Sequence, residues 1–425
     1  MTDVTTEFEK ATEAVFTDGD VERARLLLGV DTPIKNQEHV TTASYDSIRN
    51  FAWGVGDSNP LYTDEHYGET TRWGSQVAPN IMSQIMGAPM LGDPMPDEIK
   101  RAAKGLFTGI HVFVSGGSNE WFRPILPGDR IVGYAGEESI EVKNSEFSGT
   151  SVIQVRRSVR LNQRGEIVAI QRVVRVLSER KKARERGKNS TIEPASYTDE
   201  DMRRIEEIYA QEGPRGADPR YWEDVSVGDD LPPMVKGPLT TTEIIAFHAG
   251  GYGFAPYGLK SSRLAHENRQ RIPAFFVKND QGVPDVAQRL HWDSEWAKAI
   301  GNPRAYDYGV MRQTWLHHYL TDWAGDDAFV LRQEDSMRKF NYQGDTQFIS
   351  GAITQKRQTP EGGVVDIEMQ MTNQRGEKTT FGTATVALPS RIGGAVVLPQ
   401  PEISEQRKAA EMYARHLELV AERRR

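Results

Sequence analysis

The segment Asn162-Gln163-Arg164-Gly165-Glu166 recurs as Asn373-Gln374-Arg375-Gly376-Glu377. Strand-like runs flank both copies: Val152–Leu161, Ile167–Val176, Val364–Met371 and Thr379–Leu388. A glycine between two such runs is typical of a hairpin turn, because glycine accepts the positive φ that tight turns require. The repeat therefore predicts the same antiparallel hairpin in two parts of the chain.

Three further matches keep the same order along the chain and indicate that the whole unit is duplicated. They pair Phe51 and Gly54 with Phe247 and Gly250, Tyr62-Thr63-Asp64 with His291-Trp292-Asp293, and Gly128-Asp129 with Gly344-Asp345. The second copy carries extra residues between Gly253 and Leu290. We therefore interpret the chain as two related halves, the second of which contains an insertion.

Each half predicts a short helix, a loop, a buried helix and then several antiparallel strands. The short helical patterns are Tyr45–Trp53 and Thr242–Ala249, and Pro79–Met90 and Gly309–Trp323 are apolar enough to be buried helices. Strands grouped after a helix favour an α+β fold over an alternating β-α-β arrangement. A sheet wrapped around one buried helix in each half satisfies these elements.

Composition shifts suggest five segments. They are a helical N-terminal extension (1–40), the first domain (41–180), a charged linker (181–220), the second domain (221–392) with an insertion (254–290), and a helical tail (393–425). Short helical patterns at Val21–Leu28 and Met202–Ala210 fall in the extension and in the linker.

Composition excludes several classes of protein. The 425 residues include no cysteine, so disulfides, thiolate nucleophiles and cysteine-ligated metals are excluded. With 60 acidic and 52 basic residues the formal net charge is -8, which disfavours nucleic-acid binding. The chain has no apolar run long enough to span a membrane, and no secretory signal in Met1–Lys10. We therefore expect a cytoplasmic protein, and we interpret the basic run Arg180–Lys188 as a solvated helix or linker.

The segment Gly56-Asp57-Ser58-Asn59-Pro60-Leu61-Tyr62-Thr63-Asp64 closely resembles the motif Asp-x-Asn-Pro-x-His-x-Asp of MaoC-like proteins. Other segments that resemble the family are Val77–Asn80, Trp121–Pro124 with Gly128-Asp129, Gly237–Thr240 and Ala305–Gly309. The first half also resembles the N-terminal dehydratase-like domains related to fungal fatty-acid synthase. The resemblance covers roughly residues 40–390 and implies a double hot-dog fold, in which the two sheets continue each other.

The resemblance implies hydration of a 2-enoyl-CoA or the reverse dehydration of a 3-hydroxyacyl-CoA. In that family an Asp and a His do the acid–base work, and backbone N–H groups at the central helix polarise the thioester carbonyl. Asn80 is the expected backbone donor in the first half, and Tyr308 and Gly309 are expected at the corresponding helix start in the second. No metal and no cofactor are expected, apart from the coenzyme A carried by the substrate.

Neither half carries the complete Asp–His pair. Tyr62 stands where the first half should have its His; a tyrosine can donate a proton in catalysis, but its ordinary pKa of about 10 makes it a poor base. Val286 stands five residues before His291, where the second half should have its Asp. Three accounts are open: His291 works with Asp285 or another loop acid, Asp57 and His291 meet across the halves, or the chemistry is lost in one or both halves. We favour a site that contains His291, because the ordinary pKa of imidazole lies closest to neutrality.

Several of these residues also have structural explanations. Asp57 and Asn59 are residues that form turns, and Asp64 and Asp293 precede helical patterns as N-caps do. His317 and His318 are adjacent, so their side chains point to different sides of a helix, and we discount them as a metal pair.

The long insertion has its own expected role. It could reshape the pocket for a bulky or polar acyl group, and its residues Arg263, Arg269 and Arg271 could contact the phosphates of coenzyme A. For any one of these arginines, a plain surface position is the simpler interpretation.

Two rival functions remain beside the hydratase. One is an acyl-CoA thioesterase, which would release free thiol. The other is a subunit that binds acyl-CoA without turnover. The expected partner is an acyl-CoA, with neither nucleic acid nor membrane. A homodimer of these double units is also compatible with the sequence.

Overall fold

The computed structural model describes residues 16–108, 110–145, 149–178, 192–253, 259–300, 302–360 and 362–424. The expectations for Met1–Lys10 and for the basic run Arg180–Lys188 lie outside the described residues. Within the described residues, no helix is both long and apolar enough to cross a membrane.

Ten strands of the described residues form one sheet in the order β1-β3-β4-β5-β2-β9-β12-β11-β10-β6. The strands of the first half are β1 (Thr32–Pro33), β2 (His111–Trp121), β3 (Val132–Ser145), β4 (Gly149–Leu161) and β5 (Ile167–Ser178). Those of the second half are β6 (Met234–Lys236), β9 (Phe329–Met337), β10 (Gln347–Thr359), β11 (Gly362–Asn373) and β12 (Lys378–Leu388). A separate two-stranded ribbon pairs β7 (Phe276–Lys278) with β8 (Pro284–Val286).

The sheet is symmetric about its centre. On one side the order is β3-β4-β5-β2, and on the other side β10-β11-β12-β9 mirrors it. The halves join where β2 and β9 pair antiparallel, from Gly116 opposite Ser336 to Glu120 opposite Arg332. The α+β class and the continuous double sheet predicted from the sequence are therefore confirmed.

Both copies of the repeated pentapeptide form the same hairpin turn. Gly165 has a φ of 77° and Gly376 a φ of 75°. In the first turn the Asn162 side-chain oxygen accepts from the backbone N–H groups of Arg164 and Glu166, and Asn373 does the same in the second. The repeated Asn therefore closes each turn, and the repeated Gly supplies the positive φ.

The helices lie mainly before the strands of each half. In the first half they are α1 (Asp18–Arg25), α2 (Tyr45–Gly54), α3 (Pro60–Thr63), α4 (Glu65–Thr70), a 3₁₀ helix (Asn80–Ile85) and α5 (Asp97–Ala103). Then come α6 (Asp199–Tyr209), a 3₁₀ turn (Trp222–Asp224), α7 (Thr241–Ala246), a π-helical segment (Phe247–Tyr252) and α8 (Ser262–Arg271). The chain continues through 3₁₀ turns (Pro273–Phe275 and Ala287–His291), α9 (Ser294–Ala299), α10 (Gly309–Ala324) and α11 (Ile403–Arg423).

The two predicted central helices differ. The second, α10, begins after the N-cap Tyr308 as expected and is buried on almost every side. The helix predicted over Pro79–Met90 is wrong in extent, because only the 3₁₀ helix Asn80–Ile85 forms. After Ile85 the backbone forms hydrogen bonds with neighbouring segments. The Gly87 N–H donates to the Val40 carbonyl at 2.8 Å, and the Ala88 N–H donates to the Ile131 carbonyl at 2.6 Å. A short apolar run does not distinguish these arrangements.

The two matched glycines meet where the halves cross. A Cβ atom placed on Gly54 would lie 2.6 Å from the backbone nitrogen of Gly251 and 2.8 Å from the Cα of Gly250. The helix predicted over Thr242–Ala249 ends as an α-helix at Ala246 and continues as a π-helical segment. Matched residues of the two halves therefore pack against each other at the centre of the molecule.

The C-terminal tail returns to the first half. On α11, Ala409 is buried, and Met412 and Tyr413 pack beside it on a cluster that includes Tyr134 and Val159. The Tyr413 hydroxyl donates to the backbone carbonyl of Gln163 at 2.6 Å, in the first hairpin turn. The tail thus covers the outer face of the first half's sheet.

Candidate active site

The motif loop of the first half is built from its own side-chain hydrogen bonds. Asp57 accepts from the backbone N–H of Asn59 at 2.9 Å, and Asn59 accepts from Leu61 at 2.9 Å, which starts α3. Asp64 caps α4 by accepting from His66, and Asp293 caps α9 by accepting from Trp296, as expected. The turn roles predicted for these residues are therefore confirmed.

The same loop meets the central helix of the other half. His318 lies on α10, and its Nε2 is 3.7 Å from the Asp57 carboxylate and 3.2 Å from that of Asp322. On the opposite side of the ring, the Lys236 ammonium lies 2.9 Å from His318 Nδ1. We call these four residues the acid–base cluster. All of its members are buried, so their charges interact with little screening by water.

Burial shifts the titration of every member of the acid–base cluster. It raises the pKa of Asp57 and raises the pKa of Asp322 to about 7. It lowers the pKa of His318 to about 4 and also lowers that of Lys236. Of the four groups, Asp322 has the pKa near neutrality, so its carboxyl group can bind or release a proton near neutral pH.

Tyr62 connects this cluster to a cleft. Burial, and next the charge of Asp57, raise the pKa of Tyr62 well above its ordinary value, so it stays protonated at neutral pH. The empty space of the cleft, part of which is open to solvent, is about 470 Å³. Its polar lining comes from both halves: Asn59, Tyr62, Asn80, His317, Thr321 and Asp326.

A second carboxylate lies in the cleft wall. Asp326 is 4% exposed and accepts a hydrogen bond from the Tyr67 hydroxyl at 2.5 Å. Its backbone carbonyl accepts from the Trp73 indole at 2.9 Å. Tyr67 and Trp73 belong to the first half and Asp326 follows α10, so these bonds hold the two walls of the cleft together.

His291 lies elsewhere, in an aromatic environment. Its Nδ1–H donates to the Tyr306 carbonyl at 2.8 Å, and the Tyr308 ring lies 3.8 Å from its own ring. Burial lowers the pKa of His291 to about 4, and among the described residues no acid contributes to that shift. The structure thus does not bring His291 to either of the acids proposed from sequence.

The two acids proposed as partners of His291, Asp285 and Asp57, each have other neighbours. Asp285 lies on β8, and its carboxylate accepts from the backbone N–H of Val286. Asp57 has His318, Asp322 and Lys236 as its charged neighbours. The pairing of Asp57 with an imidazole across the halves therefore occurs, but with His318 in place of His291.

The expected ligand-binding residues are spread over several places. Asn59 and Asn80 line the cleft. Tyr308 is the N-cap of α10 and accepts from the Gln288 amide at 2.9 Å. Gly309 is packed closely, since a Cβ placed on it would lie 3.0 Å from the sulfur of Met337. Of these, only the two asparagines share a cavity with the motif loop.

The three arginines proposed for phosphate binding lie together on α8. Arg263 is largely exposed and pairs with Glu267, and Arg271 donates to Asn268. No described residue that lines the cleft belongs to the insertion. The lining of this cleft among the described residues therefore gives no support to the hypothesis that the insertion reshapes the pocket for a bulky or polar acyl group.

The sequence argument missed His318, Asp322 and Lys236. It was right that adjacent histidines diverge: the His317 ring lies 4.9 Å from that of Trp121, whereas His318 faces Asp57. The signal that could have found the pair is the spacing of His318 and Asp322, which places both on one helical face. Asp57, His318 and Asp322 also offer ligand atoms within 4.8 Å of one another, close enough to hold one metal ion.

Comparisons with known proteins agree with this architecture. Residues 29–171 match the family model described as FAS1-like, dehydratase domain region. A curated protein of Thermomonospora curvata named "Probable enoyl-CoA hydratase alpha subunit" is 32% identical over 135 residues, which cover 29% of this chain and 41% of that protein. The chain thus spans less than half the length of that relative.

Solved structures extend the likeness to both halves. A structure named MaoC-like dehydratase is 16% identical with a TM-score of 0.56, over 86% of this chain and 99% of that one. A MaoC-like dehydratase from Phytophthora capsici is 13% identical with a TM-score of 0.46, over 88% and 99% of the two chains. The chain therefore has the double hot-dog fold, similar to that of the MaoC-like dehydratase structure, and its residues 29–171 are similar to the FAS1-like dehydratase domain region.

Proposed function

We propose that the protein adds water to a 2-enoyl thioester, or removes it from a 3-hydroxyacyl thioester, at the motif loop of the first half. One observation carries this proposal: the loop's Asp57 lies against an imidazole of the second half, His318, behind a cleft that Tyr62 lines. The hydratase name of the curated relative, whose matched segment covers part of this chain, supports the same reaction.

The reaction needs a base for water and an acid for carbon. As the water oxygen bonds to C3, the acid–base cluster takes up the proton that the water loses. The electron pair of the double bond moves toward C2 and the thioester oxygen, and C2 receives a proton from the Tyr62 hydroxyl. Asp57 then returns a proton to Tyr62, so the protons balance over one turnover. Positioned acid–base groups of this kind contribute about 10²- to 10⁴-fold in rate.

The cleft also offers groups to hold the thioester. The Asn59 and Asn80 side chains and Thr321 provide polar contacts, while Val77, Pro124 and Phe329 provide apolar ones. Such a mixture is typical of sites that bury an apolar ligand and orient it by a few hydrogen bonds. We propose coenzyme A as the carrier of the acyl group, with no further cofactor.

The experiment compares three variants in an absorbance assay of 2-enoyl-CoA hydration. We expect Asp57→Asn and His318→Gln to lower kcat by about 10²-fold or more, since each removes one partner of the acid–base pair. His291→Gln is the matched control and should stay within about threefold of wild type, because an uninvolved buried residue alters folding more than rate. Thermal unfolding verifies that each variant is folded.

The outcomes separate the rival functions. Turnover that disappears in His291→Gln and survives in His318→Gln would move the chemistry to the second half. Release of free thiol with loss of the enoyl band would indicate a thioesterase. Tight binding of acyl-CoA without any turnover would indicate a binding subunit.

A further inference from the structure

Lys236 occupies an unusual position for a lysine. It is the last residue of β6, is 9% exposed, and directs its ammonium at His318 Nδ1 from 2.9 Å. Glu212 offers it the largest favourable charge, while the Glu212 carboxylate itself accepts from the backbone N–H of Val235 at 2.6 Å. The lysine is thus held against the imidazole from the side opposite Asp57.

The chemistry of these two groups determines where the ring proton lies. A lysine ammonium has only donors, so His318 Nδ1 must be the acceptor of this hydrogen bond. A neutral imidazole carries one N–H, which is then on Nε2. Nε2 faces carboxyl oxygens of Asp322 at 3.2 Å and Asp57 at 3.7 Å, and an ionised carboxylate only accepts hydrogen bonds. Every close polar contact of the ring agrees with the Nε2–H tautomer.

The opposite tautomer conflicts with its surroundings. It would place the Nε2 lone pair against the two carboxyl groups and would require Lys236 to accept a hydrogen bond as a neutral amine. The charged groups that face the ring are Asp57, Asp322 and Lys236. The nearby carboxylates of Glu212 and Glu243 favour the charged form of Lys236. A proton on one of the carboxyl groups would remove the repulsion between that group and the Nε2 lone pair. The Nδ1–H group would still face the ammonium of Lys236, which cannot accept a hydrogen bond.

We infer that Lys236 is a positioning residue that fixes His318 in its Nε2–H tautomer, so that the ring N–H faces Asp57 and Asp322 and the Asp57 carboxylate is the base. The inference rests on the proposed function, because it assigns roles within the proposed site. The family resemblance implies that an Asp and a His of one motif share the acid–base steps, whereas this inference assigns the base to Asp57 and the positioning of His318 to Lys236. In this chain, the lysine of the second half decides which of the two accepts the proton.

The same tautomer bears on metal binding. A metal ion shared by Asp57, His318 and Asp322 would need the Nε2 lone pair, which carries the proton while Lys236 is bound to Nδ1. The two arrangements are therefore exclusive. The structure assigns the cluster to proton transfer as long as the lysine is in place.

The direct test is nitrogen NMR of the full chain labelled with ¹⁵N-histidine, with His318→Gln used to assign the signal. Protonated and unprotonated ring nitrogens give distinct shifts, so the tautomer is read without any activity measurement. We expect the Nε2–H form near neutral pH, and no change of the His318 signal when Zn²⁺ is added. An Nδ1–H form, or a shift caused by Zn²⁺, would overturn the inference even if every lysine variant failed to fold.

Kinetics supply the second test. We expect Lys236→Met to lower kcat by about 10²-fold with little change in KM, because the tautomer matters in proton transfer and not in binding. Lys236→Arg should recover much of the rate, since arginine also only donates. Lys356→Met is the control: Lys356 donates to the carbonyl of Val225, away from the acid–base cluster.

The results distinguish the inference from the proposed function. If the chain hydrates no enoyl thioester but His318 carries Nε2–H, the proposed reaction fails and the tautomer assignment stands. If hydration occurs and Lys236→Met keeps the wild-type rate and the wild-type His318 signal, the role of Lys236 is refuted and the reaction stands.

Discussion

The Asp322 carboxyl group couples the stability of the protein to pH. Burial raises its pKa from 3.8 to about 7. Below pH 3.8 the group is protonated in both the folded and unfolded chain, so its full contribution to stability is present there. As the pH rises, the unfolded chain ionises first, and the contribution is lost until the pH passes about 7. Above that pH the folded protein holds a buried charge.

We therefore expect Asp322→Asn to stabilise the protein more at pH 8 than at pH 5. The amide mimics the protonated carboxyl, so the variant avoids the cost of ionisation, which we put at about 4 kcal/mol at pH 8 and at about 2 kcal/mol at pH 5. Thermal unfolding at the two pH values measures the difference, and the pH 5 result serves as the internal control. An equal change at both pH values would contradict the assignment of a raised pKa to Asp322.

At the residue scale, His291 has an environment that the sequence argument did not anticipate. The prediction used the ordinary pKa of imidazole, which lies near neutrality. The structure surrounds His291 with the rings of Tyr306 and Tyr308, and burial lowers its pKa to about 4. The environment that shifts a pKa is made by residues distant in sequence, and no motif encodes it.

At the scale of elements, the contact between α2 and the π-helical segment sets how the halves cross. Gly54 allows this contact, because any side chain there would collide with the backbone of Gly250 and Gly251. Backbone cannot move aside as the end of a flexible side chain can. The matched glycines therefore have a packing role, which also explains their repetition.

We expect Gly54→Ala to lower the free energy of unfolding by about 1–3 kcal/mol, as overpacked sites do. The matched control is Gly19→Ala in α1, where the nearest atom to an added Cβ is Thr17 Oγ1 at 3.8 Å. That change should stabilise by up to about 1 kcal/mol, because alanine favours helix. Denaturant unfolding of both variants measures the pair. Equal effects would show that the halves do not cross through Gly54.

Element boundaries were predictable where local chemistry sets them. Tyr308 before α10, the Asp64 and Asp293 caps, and the two asparagine-closed hairpin turns all depend on neighbours within a few residues. The extent of the helix over Pro79–Met90 was not predictable, because backbone N–H groups in this segment donate to the carbonyls of Val40 and Ile131. Apolar composition reports burial but not which partner the backbone chooses.

On the scale of the whole molecule, α11 ties the end of the chain to the first half. Beyond its apolar contacts, it forms an ion pair between Glu405 and Arg157, and His416 Nδ1 accepts from the backbone N–H of Leu91 at 2.9 Å. The chain enters α11 from the strands of the second half, and α11 packs on the first half. The helix therefore connects the two halves. Its removal would expose the outer face of the first sheet.

We expect deletion of residues 402–425 to lower Tm by roughly 5–10 °C and to increase binding of a hydrophobic dye, because a buried apolar face meets water. The control is Arg415→Ala, which removes the surface ion pairs with Asp93 and Glu418 and should cost at most about 1 kcal/mol. An unchanged Tm after the deletion would mean that α11 does not stabilise the first half.

The sequence by itself determined the duplication, the two hairpins, the α+β class and the turn that presents Asp57. These follow from periodicity, glycine at positive φ and side-chain caps, all of which act over a few residues. Only the tertiary structure decided the candidate site. Pairing of β2 with β9 fixes how the halves dock, and that docking turns one face of α10, with His318 and Asp322, toward the loop of the other half. Contacts across such an interface depend on the packing of the whole chain, which no local pattern records.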